Sequence, residues 1–408
     1  MTYFKKTLLF LIAVCAAAHI CAVPFIAYEG GPLVSMPFDP AEYRILAENL
    51  IEGNGFSTSY EAPYTPQALR TPGYPVFLAS TLLIDTSWFF AIMLQQVLLV
   101  SAAFITGLIV LQLFKNEPLS FLATLLILAE PHLFVLSLNT VTESLFLFLF
   151  TLSFYLLSRI NKSPVHLIGY AILLSLLIYV RPSALLLVPF FIAGFYMRIG
   201  DIRKTLAVVA LVCICVSPWI IHIHNVSGSF TFSTTPQFNI VYGLGNSLEK
   251  DELSRTITRN AHELTVGAYT SEYAARLAEL SETIYERRGA SGFIAAQVRC
   301  APKVWFGHYY ELFLRKLGVT NTNLLSLASF IDVLVSVILF VGVILGMYVS
   351  AKRPELRLYL VVLGGCLAVT TFANLCVSDT RMLASIFSGV VILSAIGVVG
   401  FFKAKRLL

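Results

Sequence analysis

Long runs of apolar residues, separated by short polar segments, alternate along most of this 408-residue chain. A helix needs about 20 apolar residues to cross the hydrocarbon core of a bilayer. About ten runs approach that length and predict membrane-spanning helices at 7–27, 88–114, 119–138, 140–158, 164–180, 182–199, 205–223, 324–350, 356–375 and 383–402. A shorter apolar stretch at 73–84 predicts a re-entrant or interfacial segment, because it is too short to cross.

The first apolar run follows Lys5 and Lys6, as the apolar part of a signal peptide does. Its length exceeds that of a usual signal sequence, and no A-x-A cleavage site follows it. We therefore interpret residues 7–27 as a retained span.

Composition supports a membrane protein. Hydrophobic residues make up 57% of the chain and charged residues 12%, whereas soluble domains carry roughly 25% charged residues. The net charge of +5 then reports orientation in the membrane and predicts no nucleic-acid partner. The seven cysteines form no C-x-x-C pair, and we interpret them as small apolar residues.

Basic residues are distributed unevenly between the two sets of loops that the predicted spans define. One set of short loops and chain ends holds Lys5, Lys6, Lys115, Arg159, Lys162, Arg198, Arg203, Lys204, Lys352, Arg353, Arg357, Lys403, Lys405 and Arg406. Basic residues favour the cytoplasmic side, so we expect cytoplasmic termini and a multi-pass protein of the plasma (inner) membrane. Segments 28–87 and 224–322 are then outer loops of one all-α domain, 1–408, without a separate C-terminal soluble domain.

The first outer loop contains the helix signal "PFDPAEYRILAENL". Asp39 before Pro40 is typical of a helix start, and Glu42 is positioned to complete a capping box. The pattern is amphipathic, with its apolar face formed by Tyr43, Leu46, Ala47, Leu50 and Ile51. We expect this helix to lie flat on the membrane, apolar face down. On this local pattern alone, Asp39 is a helix cap.

The second outer loop also has a helical pattern. In "EYAARLAELSETIYERR", an apolar stripe of Tyr273, Leu277, Leu280 and Ile284 predicts an amphipathic helix. Both outer loops are therefore expected to carry interfacial helices.

Polar residues collect at the outer ends of several predicted spans. They are Arg70 in "LRTPGYP", Glu143 in "NTVTESLF", Arg181 in "YVRPSA", Arg381 in "VSDTRM", and His222 and Asn225 in "SPWIIHIHN". Ionisable residues beside spans usually face a bundle interior or a water-filled cavity. Arginine suits phosphate, and a carboxylate in such a cavity can accept a proton. The pattern predicts an outward-facing polar cavity.

The H-I-H sequence at 222–224 raises the question of a metal site. Histidines two positions apart on a helix point away from each other, so joint ligation needs non-helical backbone. We predict no metal and no cofactor. Asn225 also begins an N-x-S sequon, which matters only in a eukaryotic secretory setting.

Five stretches in order carry a family resemblance: "FDPAEYRILAENLIEGNGFS", "LRTPGYPVFLAS", "TVTESLFLFLFTLSFYLL", "VRPSALLLVP" and "SPWIIHIHNVSGSF" with the "NIVYGLGNS" that follows it. This succession resembles the GT-C membrane glycosyltransferases, in particular the protein mannosyltransferase and aminoarabinose transferase group (glycosyltransferase family 39-like). The resemblance covers most of residues 35–250. It implies a hexosyl or pentosyl transferase that moves a sugar from a polyprenyl-phosphate donor to a lipid, glycan or protein acceptor on the outer face.

The resemblance also implies roles for individual residues. Asp39 occupies the position of the family's essential first-loop acid, which implies a general base that deprotonates the acceptor. Arg70 and Arg181 match basic positions of the family, which implies binding of the donor phosphate, and Arg381 matches its late arginine. Glu143 matches an acidic position, and Glu143 and Tyr74 are also expected to bind substrate. Glu42, His222 and Asn225 are expected as accessory residues. The chain departs from the family where an aromatic residue and a proline usually follow the late arginine.

Two other classes of function are open. A transporter or flippase of a phosphate-bearing lipid would use the same arginines, although transporters often contain two related halves, which are not evident here. A structural membrane protein whose outer loops only bind a partner would leave Glu143 and Arg181 unexplained.

Overall fold

The computed structural model describes residues 39–241, 271–306, 318–372 and 381–405, with positions 17, 311, 314 and 315. These residues form helices joined by loops, with one isolated antiparallel bridge between Ser57 and Pro66. In chain order the helices are α1 (Asp39–Glu52), α2 (Gly73–Leu82), α3 (Phe89–Phe114), α4 (Glu117–Leu128), α5 (Pro131–Ser137), α6 (Glu143–Arg159), α7 (Pro164–Val180), α8 (Ala184–Ile199), α9 (Ile202–Ser227), α10 (Thr235–Asn239), α11 (Ser271–Trp305), α12 (Thr322–Lys352), α13 (Pro354–Phe372), α14 (Arg381–Ala384) and α15 (Phe387–Lys405).

Four of these helices are long and apolar enough to cross a membrane, namely α3, α9, α12 and α13. The pair α4 and α5 passes the same test jointly, as a broken span or a re-entrant loop. Three further apolar helices are shorter: Pro164–Val180, Ala184–Ile199 and Phe387–Phe401. The protein is therefore an all-α, multi-pass membrane protein in its described part, with four or five spans by length and composition. The predicted total of about ten stays a prediction, and its first span, 7–27, lies outside the described residues.

The span predicted at 119–138 corresponds to the two helices α4 and α5 rather than to one continuous helix. The chain bends by 53° between α4 and α5. Pro131 is the first residue of α5, and the Glu130 carboxylate accepts a hydrogen bond from the Leu133 backbone N–H. Proline has no N–H to continue the α4 hydrogen bonds, and the Glu130 side chain caps the new helix instead. The break coincides with the short interruption Glu130-Pro131-His132 in the apolar run.

Small residues bring α12 and α15 together. A Cβ atom at Gly346 would lie 2.0 Å from the carbonyl oxygen of Leu393, and one at Gly397 would lie 2.3 Å from that of Gly342. Such close backbone contact needs glycine and is common between membrane helices, where packing replaces the hydrophobic effect as the driving force. This contact holds α15 against α12, and α15 directly follows α14, which belongs to the candidate functional site.

Helix α1 is amphipathic, but its apolar face packs on protein. Tyr43, Leu46 and Ala47 are buried, and the Tyr43 ring meets the Tyr74 ring of α2 edge-on, 4.9 Å between centroids. The prediction that these residues face lipid is therefore wrong. An apolar stripe fits a protein surface as well as it fits a membrane. Ile51, at the end of the stripe, is exposed.

Helix α11 follows the pattern predicted for the second outer loop. Ile284 is buried and Leu280 partly buried in one cluster with Leu69 and Cys300, whereas the side chains of Tyr273 and Leu277 lie outside the description. The backbone at Gly289 (φ 62°, ψ 170°) divides the helix into two parts. Because Leu69 directly precedes Arg70, this contact places α11 next to the Arg70 segment.

The interpretation of all seven cysteines as small apolar residues is wrong for two of them, because one pair forms a disulfide. Cys300 of α11 is disulfide-bonded, and the free cysteines of the described residues are Cys213, Cys215 and Cys366. The partner of Cys300 therefore lies outside the described residues.

Candidate functional site

The centre of the candidate site is Glu143, at the point where α6 begins and α7 ends. Glu143 lies in the first turn of α6, and Arg181 follows the last residue of α7. A negative charge is favoured at a helix N-terminus and a positive charge at a C-terminus, so the neighbouring antiparallel helices bring the two side chains to one end of the bundle. Arg181 Nη1 lies 3.3 Å from Glu143 Oε1.

A second arginine shares the same carboxylate. Arg381, the first residue of α14, places both Nε and Nη2 at 3.0 Å from Glu143 Oε1. Ser385, one turn later, accepts a 2.5 Å hydrogen bond from Arg181 Nη1. The Glu143 side chain is fully buried, while those of Arg181 and Arg381 are 15% and 20% exposed. One carboxylate thus faces two arginines, and the group carries one net positive charge.

Arg70 forms a second ion pair nearby. Arg70 Nε lies 2.6 Å from Glu42 Oε2 of α1, and the guanidinium group covers the Tyr43 ring. The next residue, Thr71, donates to the carbonyl oxygen of Val180 at 3.3 Å. Because Val180 directly precedes Arg181, the Arg70 and Arg181 segments lie side by side, as the sequence predicts. Arg44 of α1 lies at the same end, where its Nε donates to Thr140 Oγ1 at 3.0 Å. We call Glu42, Arg44, Arg70, Glu143, Arg181 and Arg381 the arginine cluster.

The start of α1 reaches the same end of the bundle. Helix α1 begins at Asp39, whose side chain lies outside the description. The carbonyl oxygen of Pro40 accepts a 3.4 Å hydrogen bond from Thr140 Oγ1. Thr140 lies three residues before Glu143, so the Asp39 backbone adjoins the arginine cluster. The role predicted for the Asp39 carboxylate stays a prediction.

Tyr74 lies beneath the cluster. Its side chain is fully buried, and its hydroxyl donates to Gln95 Oε1 at 2.6 Å. Gln95 in turn donates to the carbonyl oxygens of Ser137 and Asn139 at 3.2 and 2.9 Å. Burial, with a smaller contribution from the charge of Glu143, raises the pKa of Tyr74 well above its usual value, so the hydroxyl stays protonated. Through Gln95, Tyr74 supports the loop before Glu143, and its predicted contact with substrate stays a prediction.

His222 and Asn225 are not part of the cluster. His222 and His224 lie on the continuous helix α9, where they stack on the rings of Trp219 and Phe230, respectively. Asn225 is exposed. Neither His222 nor Asn225 forms a hydrogen bond or ion pair with Glu143 or the arginines of the described part. No group of three or more metal-ligating side chains occurs within the described ranges.

Sequence reasoning missed several polar residues that hold the cluster together. Gln95, Thr140 and Ser385 are buried, and each supplies a hydrogen bond described above. Their one sequence signal is a polar side chain within an apolar segment, which is common and shows no partner. The pairing of Glu42 with Arg70 spans 28 positions and has no local signature.

No protein-family model matches the chain, and a search of curated proteins finds no significant match.

Proposed function

We propose that this protein is a membrane glycosyltransferase of the GT-C type that transfers a sugar from a polyprenyl-phosphate carrier to an acceptor at the outer face of the plasma membrane. The observation that carries the proposal is the buried carboxylate of Glu143 shared by Arg181 and Arg381, with part of each arginine exposed. Arginine binds phosphate oxygens through its planar fork of donors. The net positive charge of this group favours an anionic ligand.

The position of the cluster supports a donor held in a membrane. Glu143 and Arg181 lie at the ends of apolar helices, where the phosphate of a lipid carrier would meet protein. The resemblance of residues 35–250 to the protein mannosyltransferase and aminoarabinose transferase group supports the same donor class. The acceptor is then a lipid, a glycan or a protein.

Two observations support an outer location for the cluster. Arg159 and Lys162 follow the opposite end of α6, and Lys204 Nζ donates to the carbonyl oxygen of Lys162 at 3.2 Å. A second group of basic residues thus lies in the short loops at the end of α6 opposite Glu143, as expected of a cytoplasmic side. Cys300, behind Arg70, is disulfide-bonded, and disulfides persist mainly in oxidising, non-cytoplasmic compartments. On this basis we propose that the protein has about ten spans and that both termini are cytoplasmic.

The chemistry we propose is a single displacement with inversion at the anomeric carbon. The Asp39 carboxylate takes the proton of an acceptor hydroxyl or amine, whose oxygen or nitrogen forms the new bond to the sugar. The bond between the anomeric carbon and the carrier's phosphate oxygen breaks, and the electron pair leaves with the phosphate. The arginine cluster stabilises the charge that develops on that phosphate. No strong acid is needed, because phosphate is a stable leaving group.

The test is sugar transfer by the purified protein in liposomes that contain polyprenyl-phosphate-linked sugars. Mass spectrometry of the lipids should show conversion of the glycosylated carrier to free polyprenyl phosphate, together with a heavier acceptor. Lipid extracts of cells with and without the gene supply the acceptor fraction. If labelled lipid crosses the bilayer with its sugar still attached, the protein is a transporter or flippase and the proposal fails.

A further inference from the structure

Arg44 differs from the other three arginines of the cluster. Arg70, Arg181 and Arg381 each contact a carboxylate, whereas Arg44 has no carboxylate partner among the described residues. Arg44 Nε donates to Thr140 Oγ1 at 3.0 Å, and the guanidinium carbon lies 5.4 Å from the centroid of the Trp88 ring. Its two terminal amino groups make no hydrogen bond within the described part of the chain. The site therefore holds one half-buried cation with open donors.

An uncompensated cation in this position is unfavourable. Burial lowers the pKa of Arg44, and the nearby Tyr74 hydroxyl and Glu48 carboxylate oppose that effect only in part. Arginine nevertheless remains charged in proteins. Buried charges are normally paired, so an anion that bound to Arg44 would offset the cost of burying its charge.

Arg44 also lies near the expected membrane–water interface, where the anion would be part of a lipid. Trp88 immediately precedes α3, a candidate span, and tryptophan is enriched at membrane–water interfaces. The backbone of Trp88 is in the left-handed region (φ 64°), which is uncommon for a bulky residue. This conformation accompanies the placement of its ring against Arg44.

The same position is electrostatically linked to the rest of the cluster. The buried hydroxyl of Tyr74 is close enough to Glu143 and to Arg44 for both charges to act on its pKa, in opposite directions. Thr140 contacts both Arg44 and the start of α1. Arg44 therefore belongs to the site around Glu143.

We propose that Arg44, backed by the Trp88 ring, makes the direct contact with the phosphate of a lipid substrate. Its terminal amino groups donate to two phosphate oxygens, while the salt-bridged arginines contribute the surrounding positive field. This inference deepens the proposed function and rests on a donor that carries a lipid-linked phosphate.

Binding of decaprenyl phosphate to the full-length protein in phosphatidylcholine nanodiscs tests the inference. Arg44→Gln should weaken binding about 10- to 100-fold, the effect of losing a hydrogen bond to a charged group. Arg299→Gln is the matched control, because Arg299 is exposed on α11, and its affinity should equal that of the parent protein. An unchanged affinity in Arg44→Gln would overturn the assignment.

Two further variants distinguish a purely structural role of Arg44 from phosphate binding. Thr140→Val removes the acceptor of the Arg44 Nε hydrogen bond but keeps the charge and the terminal amino groups that would contact phosphate, so the affinity should change by less than about threefold. An equal loss in Thr140→Val and Arg44→Gln would show that Arg44 only tethers α1. If Arg44→Gln does not fold, Arg44→Lys keeps the charge but not the planar fork. A folded Arg44→Lys protein should then bind more weakly than Thr140→Val, and equal binding would contradict the proposal.

Competition separates the possible sources of the phosphate. Equimolar phosphatidylglycerol and inorganic phosphate should leave Arg44-dependent binding of decaprenyl phosphate in place. Equal displacement by phosphatidylglycerol would make Arg44 a general headgroup contact and overturn its assignment to substrate. Arg44-dependent binding without sugar transfer would reject the proposed enzyme and keep this inference. Sugar transfer by Arg44→Gln with an unchanged KM for the donor would reject this inference and keep the proposed enzyme.

Discussion

Glu143 is the residue on which the arrangement of the site depends most. It is fully buried and stands between two arginines that come from distant parts of the chain, 38 and 238 positions away. Buried ion pairs add little net stability, but removing one partner leaves the other charge uncompensated. Glu143 therefore links α14 to the end of α7.

The Glu143→Gln change should lower the thermal midpoint in detergent. It leaves Arg181 and Arg381 facing each other without a carboxylate, and we expect a loss of about 2–3 kcal/mol, below the full value for a buried pair because both arginines are partly exposed. Glu52→Gln at the exposed end of α1 is the control and should change stability by less than about 0.5 kcal/mol. Adding Arg381→Gln to Glu143→Gln should restore part of the loss. Equal midpoints for Glu143→Gln and the parent protein would mean that solvent already satisfies the arginines.

Asp39→Asn separates the two interpretations of Asp39. Asparagine caps a helix about as well as aspartate, so a pure cap should tolerate the change with near-normal turnover. Asparagine cannot accept a proton, and loss of a general base typically costs about 10²- to 10⁴-fold in rate. We expect a folded protein with normal donor binding and transfer reduced by that factor. Wild-type turnover would return Asp39 to the role of a helix cap.

Among the elements, the contact between α2 and the end of α7 sets the spacing of the cluster. A Cβ atom at Gly73 would lie 2.6 Å from the carbonyl carbon and oxygen of Tyr179. Glycine therefore lets the two backbones touch, and this contact holds the Arg70 segment against Arg181. The carbonyl oxygen of Leu69 is fixed from the other side by the hydroxyls of Ser233 and Thr235, at 2.6 and 2.7 Å.

Gly73→Ala should therefore separate α2 from α7. The clash is with backbone atoms, which cannot rotate away, so we expect a loss of stability of about 1–3 kcal/mol and weaker donor binding. Gly169→Ala is the matched control: Gly169 lies on α7 with no neighbouring atom within 4 Å of a built Cβ. That change should be neutral or slightly stabilising, because alanine favours a helix over glycine. Comparison of thermal midpoints in detergent checks both, and equal midpoints would contradict this account of the contact.

The elements also show what the sequence can and cannot predict. Apolar runs are local, so the helices of the described part fall close to the predicted intervals, and polar breaks in those runs correctly indicated that Arg70 and Arg181 share one end. Pairing is not local: the partners of Arg70 and Arg381 depend on how distant helices pack. An apolar stripe has the same pattern against lipid and protein, which is why the burial of Tyr43 within the protein was not predicted.

At the scale of the whole molecule, two groups of charged residues lie at opposite ends of the bundle. The arginine cluster lies where α6 begins and α7 ends, and Arg159, Lys162 and Lys204 lie at the other end of the same helices. The disulfide-bonded Cys300 lies on α11 and packs in one cluster with Leu69, the residue before Arg70. The distribution of basic residues and the redox state of a cysteine are independent indicators of orientation, and they agree.

This agreement predicts which loops a membrane-impermeant maleimide can reach. Tyr60 is 73% exposed in the loop after α1, and Asn161 is exposed in the loop between α6 and α7. Because the first loop is expected outside and the second in the cytoplasm, Tyr60→Cys should be labelled in intact cells, or in spheroplasts if an outer membrane is present. Asn161→Cys should be labelled only after permeabilisation, and the parent protein supplies the background from native cysteines. Labelling of Asn161→Cys with protection of Tyr60→Cys would invert the topology, place the arginine cluster in the cytoplasm, and remove the outer-face transfer reaction.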